Sequence, residues 1–260
     1  MLAVHLSQSG TRLRTGGIVP SESEPIEAII YAWLKRLPTR LQPMLDYQLQ
    51  NLPSRYFQSL DVQGVQMDFS LMEQLKDERV IVLATDLEGR TVLRVLMARD
   101  EPRIFLRVVG ALAARQINIE RALIFTGRKD GVVIDHFVLK RVANPEQLEM
   151  AVAEVRDSLI SGMCPTPRLY LPIQTGMRIL IESHAQDHTT LTVFACDQMD
   201  FLFRIARVFA DQNLGLLFAN LKTHGEQIID SFHLVNKEGN RLTGAEEQNL
   251  REALVRAFAG

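Results

Sequence analysis

The chain has 260 residues, 47% of them apolar, enough to bury one large core or two of ordinary size. Its 29 basic and 31 acidic residues leave a net charge of −2, which excludes a general nucleic-acid or polyanion binder built on clustered Lys and Arg. The two cysteines, Cys164 and Cys196, lie far apart, excluding a disulfide scaffold or Cys-rich zinc site and fitting a reducing cytoplasm, and no apolar run reaches membrane-spanning length.

Residues 1–21 are polar and lack the apolar stretch of a signal peptide, and they read as a disordered leader. Residues 22–76 read as a helical segment: Ile26, Ile29, Ile30, Trp33, Leu34 and Leu37 recur at helical spacing before Pro38 and Pro43 break the run. The pattern resumes over 45–52, breaks at Leu52–Pro53–Ser54 and runs again through Phe69, Met72 and Leu75. Some fifty residues of short helix make a thin core, so this segment is expected to pack on the residues C-terminal to it.

Strands are expected at 79–84 and 92–97, around the turn at Asp86–Arg90. A helix from Pro102 to Gln116 places Ile104, Phe105, Val108, Val109 and Leu112 on one face. Strands follow at 117–125 and 132–139, then a helix capped by Asn144 with Pro145 at its first position. Residues 163–175 read as a proline-punctuated linker. The same order then recurs: strands 177–183 and 189–196, helix 200–212, strands 214–223 and 226–235, and a helix at 244–258 with Thr243 as its cap.

The recurrence extends to single residues. Asp100, Ile117, Ala122 and Thr126 line up with Asp197, Leu214, Ala219 and Thr223, each 97 positions on. Asp135–His136–Phe137 lines up with Asp230–Ser231–Phe232, now 95 apart because the second hairpin is shorter. A period of this length is a duplicated small domain rather than a solenoid unit. Each ββαββα copy predicts a permuted ferredoxin-like domain with four antiparallel strands and two helices on one face, in an α+β chain of two domains at 77–162 and 176–260.

The runs Asp100–Glu101–Pro102, Arg115–Gln116–Ile117–Asn118–Ile119, Ala122–Thr126 and Val133–Phe137 resemble ACT domains, small regulatory modules that bind amino acids and other metabolites. The tandem order, with Leu52–Pro53–Ser54–Arg55–Tyr56–Phe57 upstream, resembles the C-terminal region of bacterial bifunctional PII uridylyltransferase/uridylyl-removing enzymes. The resemblance covers residue 45 to the end. The nucleotidyltransferase motif and the His-Asp dipeptide of the catalytic halves are absent from this sequence, which implies a non-enzymatic regulatory chain without cofactor or metal.

The resemblance also implies a ligand loop after the second strand of each repeat. Its candidate residues are Asp100, Glu101, Arg103, Ile104 and Asn118, with Asp197 and Asp200 in the second copy. Arg103 and Asp200 stand where such sensors carry a glycine; an Arg can hold a carboxylate, whereas Asp200 repels one, so binding is expected at the first repeat. Asp100 and Asp197 read equally as helix caps, and Asn118 as a turn former. Asp135 and Asp230 read as lining a site or an interface or, in preference, as solvent-facing strand residues, and Cys164 and Cys196 read as small packed hydrophobes. His184 and His188 read as surface histidines, having no third metal ligand nearby.

The implied function is a cytoplasmic regulatory module of nitrogen metabolism that binds an amino acid such as glutamine and signals through domain contacts. Its expected partners are a second copy of the chain, a PII-type signalling protein or a separate catalytic subunit. The alternatives are a ligand-free dimerisation module and the regulatory part of a split or truncated uridylyltransferase.

Overall fold

The computed structural model describes residues 26–87, 89–101, 103–140, 142, 144–167, 176–183 and 187–258. The expected leader, Pro102, His184 and the middle of the linker lie outside them. Four helices come first: α1 (Ile26–Leu34), α2 (Gln42–Asn51), α3 (Ser54–Ser59) and α4 (Val62–Gln74). The prolines set their bounds, Pro43 sitting in the first turn of α2 and Pro53 just ahead of α3. Asp61 caps α4, its Oδ1 accepting from the Gly64 N–H at 2.7 Å.

The first repeat comprises β1 (Val80–Leu87), β2 (Arg90–Met97), α5 (Ile104–Ala114), β3 (Ile119–Thr126), β4 (Val133–Leu139) and α6 (Pro145–Ser161). The second comprises β5 (Arg178–Glu182), β6 (Thr189–Cys196), α7 (Phe201–Asp211), β7 (Gly215–His224), β8 (Gln227–Val235) and α8 (Gly244–Phe258). Both expected caps form. Asn144 accepts from the Glu146 N–H at 2.9 Å, and Thr243 and Glu246 make a reciprocal box at 3.3 and 2.8 Å.

The strands form one eight-stranded antiparallel sheet in the order β1-β2-β4-β3-β7-β8-β6-β5. The four-stranded sheets expected of the two repeats thus join edge to edge: β3 and β7, an edge strand from each copy, pair with each other. In that ladder Ala122 faces Leu221, Leu123 faces Asn220 and Ile124 faces Ala219. Leu123 and Asn220 are counterparts 97 positions apart, so a pseudo-twofold axis passes between them. The 97-residue offset fails in the strand before the loop. Val95 pairs with Asp135 as Val193 pairs with Asp230, so the strand offset is 98 and the loop absorbs the difference. A one-residue slip would have turned every side chain of β6 to the wrong face.

On one face of the sheet, α5 and α7 lie side by side, flanked by α6 and α8, over a core shared by the two repeats. Phe232 of the second repeat meets Phe105 of the first at 6.3 Å and Phe209 at 5.2 Å between ring centroids. Gly110 permits the close approach of α5 to its neighbours. A Cβ there would come within 2.5 Å of the Pro165 carbonyl oxygen and 3.2 Å of the Phe203 ring.

The helices α1–α4 cover the opposite face of the first repeat, so that sheet is buried on both sides and not on one as expected. Tyr56 packs edge-on against Phe57 and Phe125 at 5.0 and 5.2 Å, and Phe125 meets Phe218 of β7 at 5.6 Å. The layer thus reaches over the seam between the repeats. Burying each such ring contributes on the order of 1.5–3 kcal/mol.

A buried polar node sits within this layer. Asp68 of α4, fully buried, accepts from the Tyr56 hydroxyl at 2.9 Å, meets His136 Nε2 at 3.0 Å and lies 3.3 Å from Arg94 Nε. Burial, reinforced by the Asp68 carboxylate, pushes the Tyr56 phenol well above its ordinary value. Where α3 reaches the second repeat, Arg55 Nη1 lies 3.2 Å from His233 Nε2, and His188 stacks on His233 at 4.0 Å. His188 is therefore packed rather than a free surface residue. Burial, with His188 and Arg55 adding to it, lowers the His233 pKa to about 4.

Candidate functional site

Two loops join a strand to the first helix of each repeat, and the pseudo-twofold axis relates them. The helices begin later than the sequence suggested: the residues ahead of α5 and α7 are Arg103 and Asp200. Asp100 and Asp197 therefore cap neither helix.

In the first loop Arg103 adopts a left-handed backbone conformation, φ 72°, and its side chain is exposed. Only at this loop does the residue in the expected glycine position need such a conformation; Asp200 has φ −98°. Glu101 is engaged by Arg79 at 3.1 Å and Arg107 at 3.5 Å. Ile104 is buried and belongs to the shared core. Asp100 stands at the surface, yet burial of its inner side raises its pKa to about 6, opposed in part by a backbone hydrogen bond from Glu101.

Beneath this loop lies Asp135 of β4, only 1% exposed, which corrects its reading as a solvent-facing residue. Neither of its oxygens has a hydrogen-bond partner. The Phe125 N–H lies near without the geometry of a bond, whereas its counterpart, the Lys222 N–H, donates to Asp230 Oδ1 at 3.2 Å. Burial, then the neighbouring Asp100, drives the Asp135 pKa well above the carboxylate range. Asp230 is likewise buried, 2% exposed, and burial raises it to about 7, with Asp197 contributing.

The second loop is compensated. Asp197 is contacted by the Lys140 ammonium and by Asn118 Nδ2, the latter at 3.4 Å from both oxygens. Lys140 and Asn118 come from the first repeat, held together by the Lys140 N–H donating to the Asn118 carbonyl at 2.8 Å. Asp200 pairs with Arg204, from Nε at 2.8 Å and Nη2 at 2.7 Å, while its Oδ1 is buried without a partner. Between the repeats here is a cavity of about 20 Å³, lined among others by Ile117, Asn118, Asp197, Phe201, Thr223 and Asp230. That is room for a water molecule and not for an amino acid.

Of the residues expected from the sequence, Asn118 and Asp197 meet across the repeats. Asp100, Glu101, Arg103 and Ile104 stay together at the other loop, and Asp200 faces away toward Arg204. Lys140 was missed, and Asp135, for which the solvent-facing reading was preferred over a site-lining one, is the partnerless residue. Among the described residues no group of three or more His, Cys, Asp or Glu is placed to hold a metal ion, and no helix is long and apolar enough to cross a membrane.

The model of the ACT domain matches residues 91–157, which run from β2 through most of α6. The chain carries an ACT domain. Its second repeat has the same order of strands and helices about the pseudo-twofold axis. Curated relatives include the bifunctional uridylyltransferase/uridylyl-removing enzyme of Haemophilus influenzae strain PittEE, 27% identical over 82% of this chain and 26% of that protein. The enzyme of the same name from Pasteurella multocida strain Pm70 is 29% identical over 79% of this chain and 25% of that protein. This chain thus spans about a quarter of the length of these relatives. Among solved structures, an unknown protein from Galdieria sulphuraria shares 14% identity over 65% of this chain and 90% of that one, with a TM-score of 0.23, too slight a likeness to bear on the fold.

Proposed function

We propose that the chain is a non-catalytic regulatory module that binds a small ammonium-bearing metabolite, an amino acid such as glutamine, at the loop of its first repeat. The observation that carries this reading is Asp135. A buried carboxyl group with no hydrogen bond is costly, and it sits beside a second one, Asp100, with no ion pair to either among the described residues. An arriving ammonium group relieves that cost, and Arg103 at the loop's outer edge offers a guanidinium for a carboxylate. Occupancy would bias the contact between the repeats, because the loop leads directly into α5, which packs on α7. The likeness to uridylyltransferase/uridylyl-removing enzymes supports a regulatory role, which we place in nitrogen signalling, with a PII-type protein or a separate catalytic polypeptide as the proposed partner.

Calorimetry tests the reading. Glutamine, glutamate and the other common amino acids are titrated into the chain and into its Asp100→Asn variant. Saturable heat with the parent, weakened at least tenfold in the variant, supports it; no heat from any amino acid overturns it.

A second reading rests on the outer face of the second repeat, which α1–α4 leave largely uncovered. There Leu180 and Ile229 are 44% and 42% exposed, as expected of a dimerisation module. Light scattering giving a monomer at high concentration would dispose of it.

A further inference from the structure

The two loops share one architecture, but the residues that face them do not match. Through the pseudo-twofold axis, Ile119 and Leu139 correspond to Leu216 and Leu234, paired alike in their ladders. The next residues outward are Asn118 and Lys140 in the first repeat, and Gly215 and Val235 in the second. The first repeat therefore presents an amide and an ammonium to the loop of the second, while the second has only an apolar pair at the corresponding place. The Lys140 side chain is 40% exposed and its partner Asp197 only 11%, so the lysine reaches in from the rim to a sheltered carboxylate.

We infer that Lys140 is a built-in ligand of the second loop: its ammonium group, with Asn118 beside it, occupies the place a free ammonium compound would take and keeps that cleft closed. Three observations support this. The contact crosses from one repeat to the other; Asn118 contacts the same carboxylate; and the space left over is about 20 Å³. Opening the cleft means breaking Lys140 from Asp197, and with it one of the ties between the repeats. Lys140 thus makes the two loops unequal, one filled from within and one left for a ligand from solution. Only the second half of that statement rests on the function proposed above.

Truncation to Lys140→Ala leaves the outline of n-propylammonium, the missing part of the side chain. Thermal unfolding of this variant is followed against n-propylammonium chloride, with n-propanol and sodium chloride as controls. The expected result is a saturable rise in Tm of about 2 °C with the amine alone. The parent, whose cleft is filled, should show none, and neither should Lys140→Ala combined with Asp197→Asn. An equal rise in parent and variant, or no rise in Lys140→Ala, overturns the inference. Lys140 is half-exposed and follows the end of β4, so the variant should fold; Lys140→Arg, which keeps the charge, should behave as the parent and serves as a second check. Amino-acid titrations separate the two proposals. If the parent binds no amino acid yet Lys140→Ala still takes up the amine, the sensing function fails and the built-in ligand stands.

Discussion

Leu123 lies opposite Asn220 across the β3–β7 ladder, and each is the other's counterpart in the repeat. An antiparallel pair that meets itself in this way is what a twofold dimer of identical strands would form, here fused into one chain. The consequence is a single core: Phe105 and Phe209, from different repeats, both contact Phe232.

The repeats should therefore unfold together. Proline at position 123 removes a ladder N–H in the middle of the sheet and should destabilise the chain measurably. Hydrogen exchange should show β3 and β7 losing protection in parallel. If Leu123→Pro speeds exchange in the first repeat alone, the seam is a contact between independent units.

The N-terminal layer depends on Asp68. Asp68→Ala leaves Arg94, 5% exposed, and His136 without their carboxylate, and should destabilise by about 3–5 kcal/mol. The single tryptophan, Trp33, packs on Phe57 at 5.6 Å and reports on that layer directly. Its fluorescence should change with circular dichroism in the parent and ahead of it in the variant under urea. Coincident transitions in both would show that the node does not hold the layer.

Most of the fold was legible because periodicity, caps and prolines are local signals. Asn144–Pro145 and Thr243 start their helices as read. What escaped was set by partners distant in sequence. The segment Val133–Leu139 is apolar on both sides because helices cover both faces of the first repeat, so alternation could not tell that Asp135 points inward. Nothing local marks β3 and β7 as mutual partners. A lone lysine after a strand, such as Lys140, looks like any solvated residue until the second repeat brings Asp197 to it.

Asp230 gives a pH dependence with a definite sign. Its pKa is near 7 in the fold against 3.8 ordinarily, so the folded state holds a proton that the unfolded state has released. Stability from this group is whole below pH 3.8, falls as pH rises toward 7 and is lost above it. Asp230→Asn keeps the carbonyl oxygen that accepts from Lys222 and removes the ionisation. It should be more stable than the parent at pH 8 by up to a few kcal/mol, at about 1.4 kcal/mol for each pH unit separating the folded and unfolded pKa, and no more stable at pH 4. Urea unfolding at the two pH values decides; an equal difference at both would mean that packing, not ionisation, separates the proteins.

Arg103 combines backbone strain with a candidate binding role, and two substitutions separate them. At φ 72° a residue with a Cβ is held in a conformation that costs on the order of 1–2 kcal/mol, whereas glycine enters it freely. Glycine also gains freedom in the unfolded chain, which offsets part of that relief. Arg103→Gly should thus be more stable than Arg103→Ala by about 1 kcal/mol, since both lose the same exposed side chain and only alanine keeps the strain. If the guanidinium holds a ligand carboxylate, both variants should weaken amino-acid binding by about 1–3 kcal/mol, irrespective of their stabilities. Urea midpoints and calorimetry on the pair read the two effects independently. Equal stabilities would deny the strain; unchanged affinity in both variants, with the parent binding, would move the carboxylate contact elsewhere in the loop.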